Sequence, residues 1–194
     1  MQFHSWIIWG VLTSTTFFTI PPAPSTDNPD GAGEAVALDT TPERKAALDT
    51  IAYGEGTYKA DGYKTLFGGQ VIDTDKHPEK CIPFGRTCST AFGRYQFLDT
   101  TWQKIRTKYN LGESFTPEVQ DKAAIAVIVE QAGKPVLDKV DRKDPTWIYD
   151  VAPIWASFPR HAGDNRGVYG QITAGSKKDL ENFYQQRLKH YGIK

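Results

Sequence analysis

Apolar side chains recur at helical spacing from residue 41 onward and predict a first helix that ends at a glutamate. Ala47, Leu48, Ile51 and Ala52 fall on one face of this helix, and Glu55 falls on the same face. We therefore expect the Glu55 carboxyl to be partly buried. Burial disfavours the charged form of a carboxyl and raises its pKa, which suits a general acid.

The residues at the two ends of this helix agree with that prediction. Thr41 is a favourable N-cap, and Pro42 is a favourable first residue. Gly54 and Gly56 flank Glu55 and would let a bulky ligand approach the backbone closely. A single glutamate at a helix end is more often a solvated surface residue, so this stretch alone does not assign a function.

The pattern after the first helix predicts a β-hairpin and then a series of core helices. Two short runs, 63–67 and 70–73, flank Gly68-Gly69 and form the predicted hairpin. The helical patterns are bounded by caps, prolines and glycines. They run from Asp99 or Thr100 to Gly112, from Thr116 to Gly133, from Asp144 to a break at Pro153, and from Ser176 to Gly192. We expect a mobile rim at residues 160–166.

The first forty residues differ in composition from the rest of the chain. Residues 6–20 form an uncharged, largely apolar stretch, so residues 1–20 are a candidate signal peptide or signal anchor. Residues 21–40 are rich in Pro, Gly, Ser, Thr and Asp and predict a flexible linker, which leaves residues 41–194 as one domain. We expect an exported protein, periplasmic or extracellular. Transient membrane association through residues 6–20 and an uncleaved leader remain open.

The charge distribution narrows the choice of partners. The chain has 23 basic and 23 acidic residues, but residues 1–40 hold four of the acids and no Lys or Arg. The mildly basic remainder suits a polyanionic partner such as a cell wall. Clusters of Lys and Arg interleaved with aromatic residues do not occur in the sequence, which argues against nucleic-acid binding. We expect a monomer.

Two cysteines enclose a short loop. In an exported chain Cys81 and Cys88 should form a disulfide. Closing so small a loop stabilises by about 2.5 kcal/mol in the chain-entropy model, so its effect should be to stiffen that loop. A zinc site is the alternative, but only His77 lies near in sequence and a fourth ligand is missing. We therefore expect no metal and no cofactor.

A second polar motif, Gly93-Arg94-Tyr95-Gln96, precedes the next predicted helix. Its glycine allows close approach of a ligand, and its Tyr and Gln side chains supply directional hydrogen bonds suited to sugar hydroxyls. Taken alone, the motif favours a plain loop with a buried tyrosine.

The order of these motifs resembles the phage lambda endolysin family of lytic transglycosylases, within the lysozyme superfamily. The resemblance spans about Arg44 to Gln171. Its carriers are Glu55-Gly56-Thr57, Gly62-Tyr63, Gly68-Gly69, His77-Pro78, Gly93 to Gln96, Phe115 to Asp121, Ile154 to Ser157 with Pro159, and Tyr169-Gly170-Gln171. The chain departs from the family pattern at Lys76, in its cysteine pair, in its first forty residues and in extra residues between Pro159 and Tyr169.

The resemblance implies a fold, an activity and a set of site residues. The fold would be α+β and lysozyme-like, with a mainly helical lobe, a small β-hairpin lobe and an active-site cleft between them. Glu55 would be the catalytic acid. The glycan strands of peptidoglycan would be contacted by Asp73, Arg94, Tyr95, Gln96, Tyr169 and Gln171.

Three functions follow as hypotheses. The main one is a lytic transglycosylase that cleaves the β-1,4 bond between N-acetylmuramic acid and N-acetylglucosamine and forms a 1,6-anhydro product. The first alternative is a hydrolytic muramidase, in which Asp73 or Asp75 would act as the second carboxylate. The second alternative is a peptidoglycan-binding module without turnover, although burying a carboxyl such as Glu55 gives a pure binder no advantage.

Overall fold

The computed structural model describes residues 36–161 and 177–194. Two short antiparallel strands in these ranges are β1 (Ile82–Phe84) and β2 (Thr87–Ser89), with Pro83 opposite Cys88. The α-helices are α1 (Pro42–Gly54), α2 (Asp99–Lys108), α3 (Pro117–Val127), α4 (Lys134–Asp141), α5 (Trp147–Asp150) and α6 (Lys177–His190). The predicted α+β class is confirmed.

Several sequence predictions fall on residues outside these ranges. They are the leader at 1–20, all but the last five residues of the linker at 21–40, and most of the rim at 160–166. Within 36–161 and 177–194, no helix is long and apolar enough to cross a membrane.

Helix α1 forms as the sequence predicts. The Thr41 hydroxyl oxygen accepts a hydrogen bond from the Arg44 backbone N–H at 3.3 Å, which caps the first turn. The predicted apolar face is buried, and Ile51 and Ala52 have no exposed surface. Glu55 is the C-cap residue, so its side chain lies at the end of a helix that packs against α3, α4 and α6.

The predicted hairpin is correct in its turn and wrong in its strands. Gly68 and Gly69 both have positive φ and form the turn, and Leu66 N–H donates to Gln70 C=O at 2.7 Å. Strand pairing between the two runs is limited to one bridge, between Thr65 and Val71, and Leu66 forms a second bridge to Phe92, outside the predicted hairpin. The first half of the predicted strand begins as a single 3₁₀ turn at Gly62–Lys64. The only regular sheet in the described residues is instead the cysteine-bounded hairpin of β1 and β2.

The helical predictions hold with changes at their boundaries. The pattern from Thr116 to Gly133 forms α3 followed by a π-helical turn, Ile128–Ala132. Helix α5 is only four residues long, shorter than the pattern from Asp144 predicts. The pattern did not predict α4, in which Pro135 occupies the first turn, where a proline is tolerated.

Aromatic residues dominate the two parts of the core that flank the α1 end. Phe115 stacks on Phe92 at 5.5 Å and meets Trp102 edge-on at 4.7 Å. Trp147 packs against Phe158 and Tyr184 at 6.2 and 5.4 Å. Such pairs add about 0.5 to 1.5 kcal/mol each beyond the apolar area they bury, so they hold the elements around Glu55 in fixed positions.

Candidate active site

Glu55 lies at the end of α1 with its side chain directed into the protein. The residue is 7% exposed, which confirms the burial expected from the sequence. Ser157 donates a hydrogen bond from its hydroxyl to Glu55 Oε1 at 2.5 Å. This contact joins two residues that are 102 positions apart in the chain.

Burial and the hydrogen bond have opposite effects on the Glu55 pKa. Burial disfavours the carboxylate and is the larger effect, while the Ser157 hydroxyl stabilises the carboxylate and lowers the pKa. Together they raise the pKa of Glu55 to about 7. Near neutral pH the group is therefore present in both forms, so it can donate a proton and take one back.

The segment 154–158 holds this end of α1 in place. The Trp155 indole N–H donates to Tyr95 C=O at 2.9 Å. A Cβ on Gly54 would lie 2.6 Å from Phe158 Cε2, so Phe158 packs where only a glycine fits. Because Ser157 lies between these two anchors, its hydroxyl is held against Glu55. The family motif includes Ser157, but no local sequence pattern predicts its contact with Glu55.

Glu55 lines a pocket of about 60 Å³ between the helical part and the loops that precede α2. Glu55 is the one carboxylate among the described residues that line it. The other lining residues are Ser89, Ala91, Tyr95, Gln96, Phe97, Leu98, Thr101, Val127, Gln131, Ile154, Trp155 and Ala156. The pocket therefore offers one titratable acid surrounded by amide, hydroxyl and aromatic groups.

Gln96 lies beside Glu55 in this pocket and has a backbone φ of 49°. Such a left-handed conformation is unfavourable for a non-glycine residue and is typical of functional sites. Its side-chain amide nitrogen donates to Thr65 C=O and Gly93 C=O at 3.0 and 2.9 Å. The amide nitrogen is thus held by the backbone, which leaves the amide oxygen as the group that Gln96 can offer to a ligand.

Tyr95 also lines the pocket, but its hydroxyl is used inside the protein. Tyr95 is 1% exposed and donates to Asp121 Oδ1 at 2.6 Å. Tyr63 donates to the same oxygen at 2.9 Å. Burial raises the pKa of Asp121, and the two tyrosine hydroxyls oppose that effect. The Tyr95 ring and backbone form the pocket wall, and a hydroxyl contact between Tyr95 and a sugar stays a prediction.

Among the remaining predicted contacts that the structure describes, Arg94 and Asp73 do not line the pocket of Glu55. Arg94 pairs with Asp49 at 2.7 Å and lines a different pocket. The Asp73 side chain is 91% exposed and is paired with Lys64, which lowers the pKa of Asp73. Tyr169 and Gln171 lie outside the described residues. The proposed glycan contacts of these four residues stay predictions.

The disulfide predicted between Cys81 and Cys88 is present and joins the ends of the β1–β2 hairpin, with Cα atoms 5.4 Å apart. Ser89, the next residue after Cys88, lines the Glu55 pocket, so the disulfide stiffens the loop that supplies part of one wall. In the part of the chain that the structure describes, the histidine nearest to the cysteines in sequence is not free to bind zinc. Both ring nitrogens of His77 are bound, with Nε2 donating to Phe97 C=O at 2.9 Å and Nδ1 accepting from the Glu79 N–H at 3.2 Å.

Comparison with known proteins places this site in a family. The family model described as Endolysin matches residues 45–190. The endolysin of Escherichia phage lambda is 34% identical over 125 residues, which are 60% of this chain and 77% of the relative.

Solved structures give the same result. Bacteriophage lambda lysozyme in complex with a chitohexasaccharide matches with a TM-score of 0.65 and 30% identity, over 77% of this chain and 96% of that one. A second structure of lysozyme from bacteriophage lambda matches with a TM-score of 0.62 and 26% identity, over 80% and 99% of the two chains. The chain belongs to the endolysin family.

Proposed function

We propose that this protein degrades peptidoglycan as a lytic transglycosylase and cleaves the β-1,4 bond between N-acetylmuramic acid and N-acetylglucosamine. The observation that carries the proposal is the buried carboxyl of Glu55, with a pKa of about 7, which is the one carboxylate among the described residues that line its pocket. A related lysozyme bound to a chitohexasaccharide supports a glycan as the ligand.

In the first step Glu55 acts as a general acid. The protonated carboxyl gives its proton to the glycosidic oxygen, and the bond between that oxygen and C1 of the muramoyl residue breaks. N-acetylglucosamine leaves with a new hydroxyl group. Burial keeps Glu55 protonated in a large fraction of molecules near neutral pH, which is the condition for this step.

In the second step Glu55 acts as a general base. The C6 hydroxyl of the muramoyl residue attacks C1 and loses its proton to the Glu55 carboxylate, which restores the acid and closes the 1,6-anhydro ring. A nucleophile within the substrate removes the entropic cost of recruiting water, and well-aligned intramolecular reactions reach effective concentrations on the order of 10⁵ to 10⁸ M. The Gln96 amide oxygen and the Ser157 hydroxyl are the groups best placed to orient the sugar and the acid.

Hydrolysis by a muramidase is the alternative within the same family. It needs a second carboxylate about 5 to 5.5 Å from the first for retention, or about 6.5 to 9.5 Å for inversion. Neither Asp73 nor Asp75 lines the Glu55 pocket, and Asp73 is exposed and paired with Lys64. As far as the described residues show, the pocket therefore lacks the second carboxylate that a hydrolase needs, which favours the transglycosylase.

Glycan binding without turnover is the alternative from another class. The test is degradation of purified peptidoglycan by the native chain, by Glu55→Gln and by Glu118→Gln, a matched control on the exposed first turn of α3. We expect lysis to be lost only in Glu55→Gln while that variant still sediments with peptidoglycan. Lysis by Glu55→Gln at the native rate would reject Glu55 as the catalytic acid, and sedimentation of the native chain with peptidoglycan without any lysis would reject the enzyme.

The organisation of the chain completes the proposal. Residues 1–20 act as a leader or signal anchor, residues 21–40 as a linker, and residues 41–194 as the catalytic domain that works outside the cytoplasm. Cell fractionation tests this arrangement. Full-length protein in the cytoplasm of its host, with Cys81 and Cys88 both open to alkylation, would contradict it.

A further inference from the structure

A second pocket, here called the arginine pocket, lies where the loop after Glu55 meets the end of α6. It has a volume of about 380 Å³. Its lining residues are Asp49, Tyr58, Lys59, Ala60, Arg94, Arg187 and Tyr191. None of them lines the pocket of Glu55, although Tyr58 follows Glu55 by three residues and Arg94 directly precedes Tyr95.

The lining of the arginine pocket carries more positive than negative charge. Asp49 is its one carboxylate and is shared, with Arg94 Nη2 at 2.7 Å from Oδ1 and Arg187 Nε at 2.8 Å from Oδ2. The Lys59 ammonium has no acidic partner among the described residues. Asp121 lies outside the lining but interacts electrostatically with Arg94. The three cations of the lining still exceed the two carboxylates, Asp49 and Asp121, by one charge.

The two guanidinium groups of this pocket are held in place by aromatic rings. Arg94 lies between Tyr58 and Tyr63, with its Cζ 5.2 and 5.0 Å from the ring centroids, and Arg187 Cζ lies 5.4 Å from the Tyr58 ring. Guanidinium planes fixed in this way are pre-organised for a planar carboxylate. Asp49 already occupies one side of each group.

The donors of these arginines exceed the acceptors around them. Arg94 is 8% exposed, and its Nε has no hydrogen-bond partner in the described part of the chain. Arg187 donates from Nε to Asp49 and is also hydrogen-bonded to Tyr191. A buried N–H without an acceptor is unfavourable, so an acceptor brought by a ligand into this site would be stabilised.

We propose that the arginine pocket binds a carboxylate, and that its source is the peptide stem of the peptidoglycan strand. The assignment of the source rests on the proposed function. Stem peptides are attached to the muramoyl residue of the cleaved bond and carry free carboxylates, and the arginine pocket lies beside the loop that follows the proposed acid. Lys59 and the guanidinium group of Arg187 would hold the carboxylate, while Asp49 keeps both arginines in position.

The test is a nuclear magnetic resonance titration of the full chain carrying Glu55→Gln, so that no substrate is consumed. The probes are N-acetyl-D-alanyl-D-alanine, its C-terminal amide and inorganic phosphate. We expect the dipeptide acid to shift the backbone amide signals of Tyr58, Lys59 and Ala60, and the dipeptide amide to leave them unchanged. Binding should weaken with added salt.

Two charge-neutralising variants test whether the dipeptide acid binds at the arginine pocket. Lys59→Gln removes a cation that holds no structural contact in the described residues, and we expect it to weaken binding by about threefold. Lys122→Gln removes an exposed lysine outside the arginine pocket and should leave binding unchanged.

Three results would overturn the proposal. They are equal shifts with the dipeptide amide, binding of phosphate without binding of the dipeptide acid, and an unchanged affinity in Lys59→Gln. The titration measures no cleavage, so its failure is separate from failure of the proposed function. A chain that degrades peptidoglycan without binding the dipeptide acid would reject the arginine pocket alone.

Discussion

At the scale of single residues, the balance between burial and the Ser157 hydroxyl sets the chemistry of Glu55. Burial alone would favour the protonated acid, and the hydroxyl keeps the carboxylate accessible near neutral pH. Both forms are needed when one carboxyl first donates and then accepts a proton. The effect of a substitution at this site should therefore be measured as a change in the pKa of Glu55.

Replacing Glu55 by Gln should stabilise the protein at high pH. The folded pKa of about 7 lies above the ordinary value of 4.5, so ionisation favours the unfolded chain as pH rises between those values. Above the folded pKa, the free energy of unfolding of the native chain is therefore lower than that of Glu55→Gln by about 3 kcal/mol. This figure uses about 1.4 kcal/mol for each tenfold change in the ionisation constant. Urea unfolding at about pH 4 and about pH 8 measures this. A difference between the two proteins that does not grow with pH would contradict the burial argument.

Replacing Ser157 by Ala should shift the pH dependence of cleavage. Loss of the hydroxyl removes the group that lowers the Glu55 pKa, so the activity should decline at a higher pH than in the native chain. Loss of the hydrogen bond should also reduce kcat by about tenfold, since a bond to a charged group contributes about 1.5 to 3 kcal/mol. The pH profile of kcat checks this. A purely structural role for Ser157 would lower activity without moving the profile.

Sequence periodicity predicts local burial well and distant contacts poorly. The burial of Glu55 follows from the apolar face of its own helix, which needs no knowledge of the rest of the chain. The contact with Ser157 depends on how residues far apart are brought together, and no local pattern encodes it. Likewise Arg94, Tyr95 and Gln96 are adjacent in sequence, yet Arg94 lines the arginine pocket and the other two line the pocket of Glu55.

At the scale of elements, the loop that carries Tyr95 and Gln96 depends on a contact between Gly93 and Gln120. The Gln120 amide oxygen accepts from the Arg94 N–H at 2.9 Å, and its amide nitrogen donates to Tyr63 C=O and Phe115 C=O. A side chain on Gly93 would displace Gln120, because the new Cβ would lie 2.2 Å from its amide oxygen.

Gly93→Ala should therefore destabilise the fold strongly. The φ of +81° and the clash with Gln120 act together, and we expect a loss of about 3 kcal/mol. Gly112→Ala is the matched control, since its φ is +75° but its Cβ would meet no atom within 4 Å; we expect about 1 kcal/mol there. Urea denaturation measures both. Equal losses would show that φ alone accounts for the effect.

The hairpin elements show where pattern reasoning succeeds and where it fails. The Gly68-Gly69 turn was predictable because consecutive glycines accept positive φ in any context. The strands beside it were not, since Leu66 pairs with Phe92, a partner outside the predicted hairpin. Regular pairing occurs instead between β1 and β2, which the disulfide of Cys81 and Cys88 connects.

At the scale of the whole molecule, Asp49 joins the first and the last helices. Its carboxylate accepts from Arg94, from Arg187 and from the Tyr191 hydroxyl at 2.7 to 2.8 Å. Residues from α1, the loop before α2 and α6 thus meet on one group. The same group holds the arginine pocket in shape, so its loss should affect stability and ligand binding together.

Asp49→Asn should lower stability by about 3 kcal/mol, since it leaves two largely buried guanidinium groups without their counterion. Asp138→Asn is the matched control, because its pair with Lys134 is exposed and contributes at most about 0.5 kcal/mol. Thermal unfolding of the two variants checks this. Equal shifts in Tm would show that the Asp49 network does not hold the helices together.

The central claim is that the substrate's own C6 hydroxyl, and not water, attacks the muramoyl carbon. Digestion of purified peptidoglycan in ¹⁸O-labelled water, followed by mass spectrometry of the soluble muropeptides, tests it most directly. The account predicts anhydro-muramoyl ends that are one water lighter than hydrolysed ends and carry no label. Labelled, reducing muramoyl ends would show that water attacked and would replace the transglycosylase with a hydrolytic muramidase.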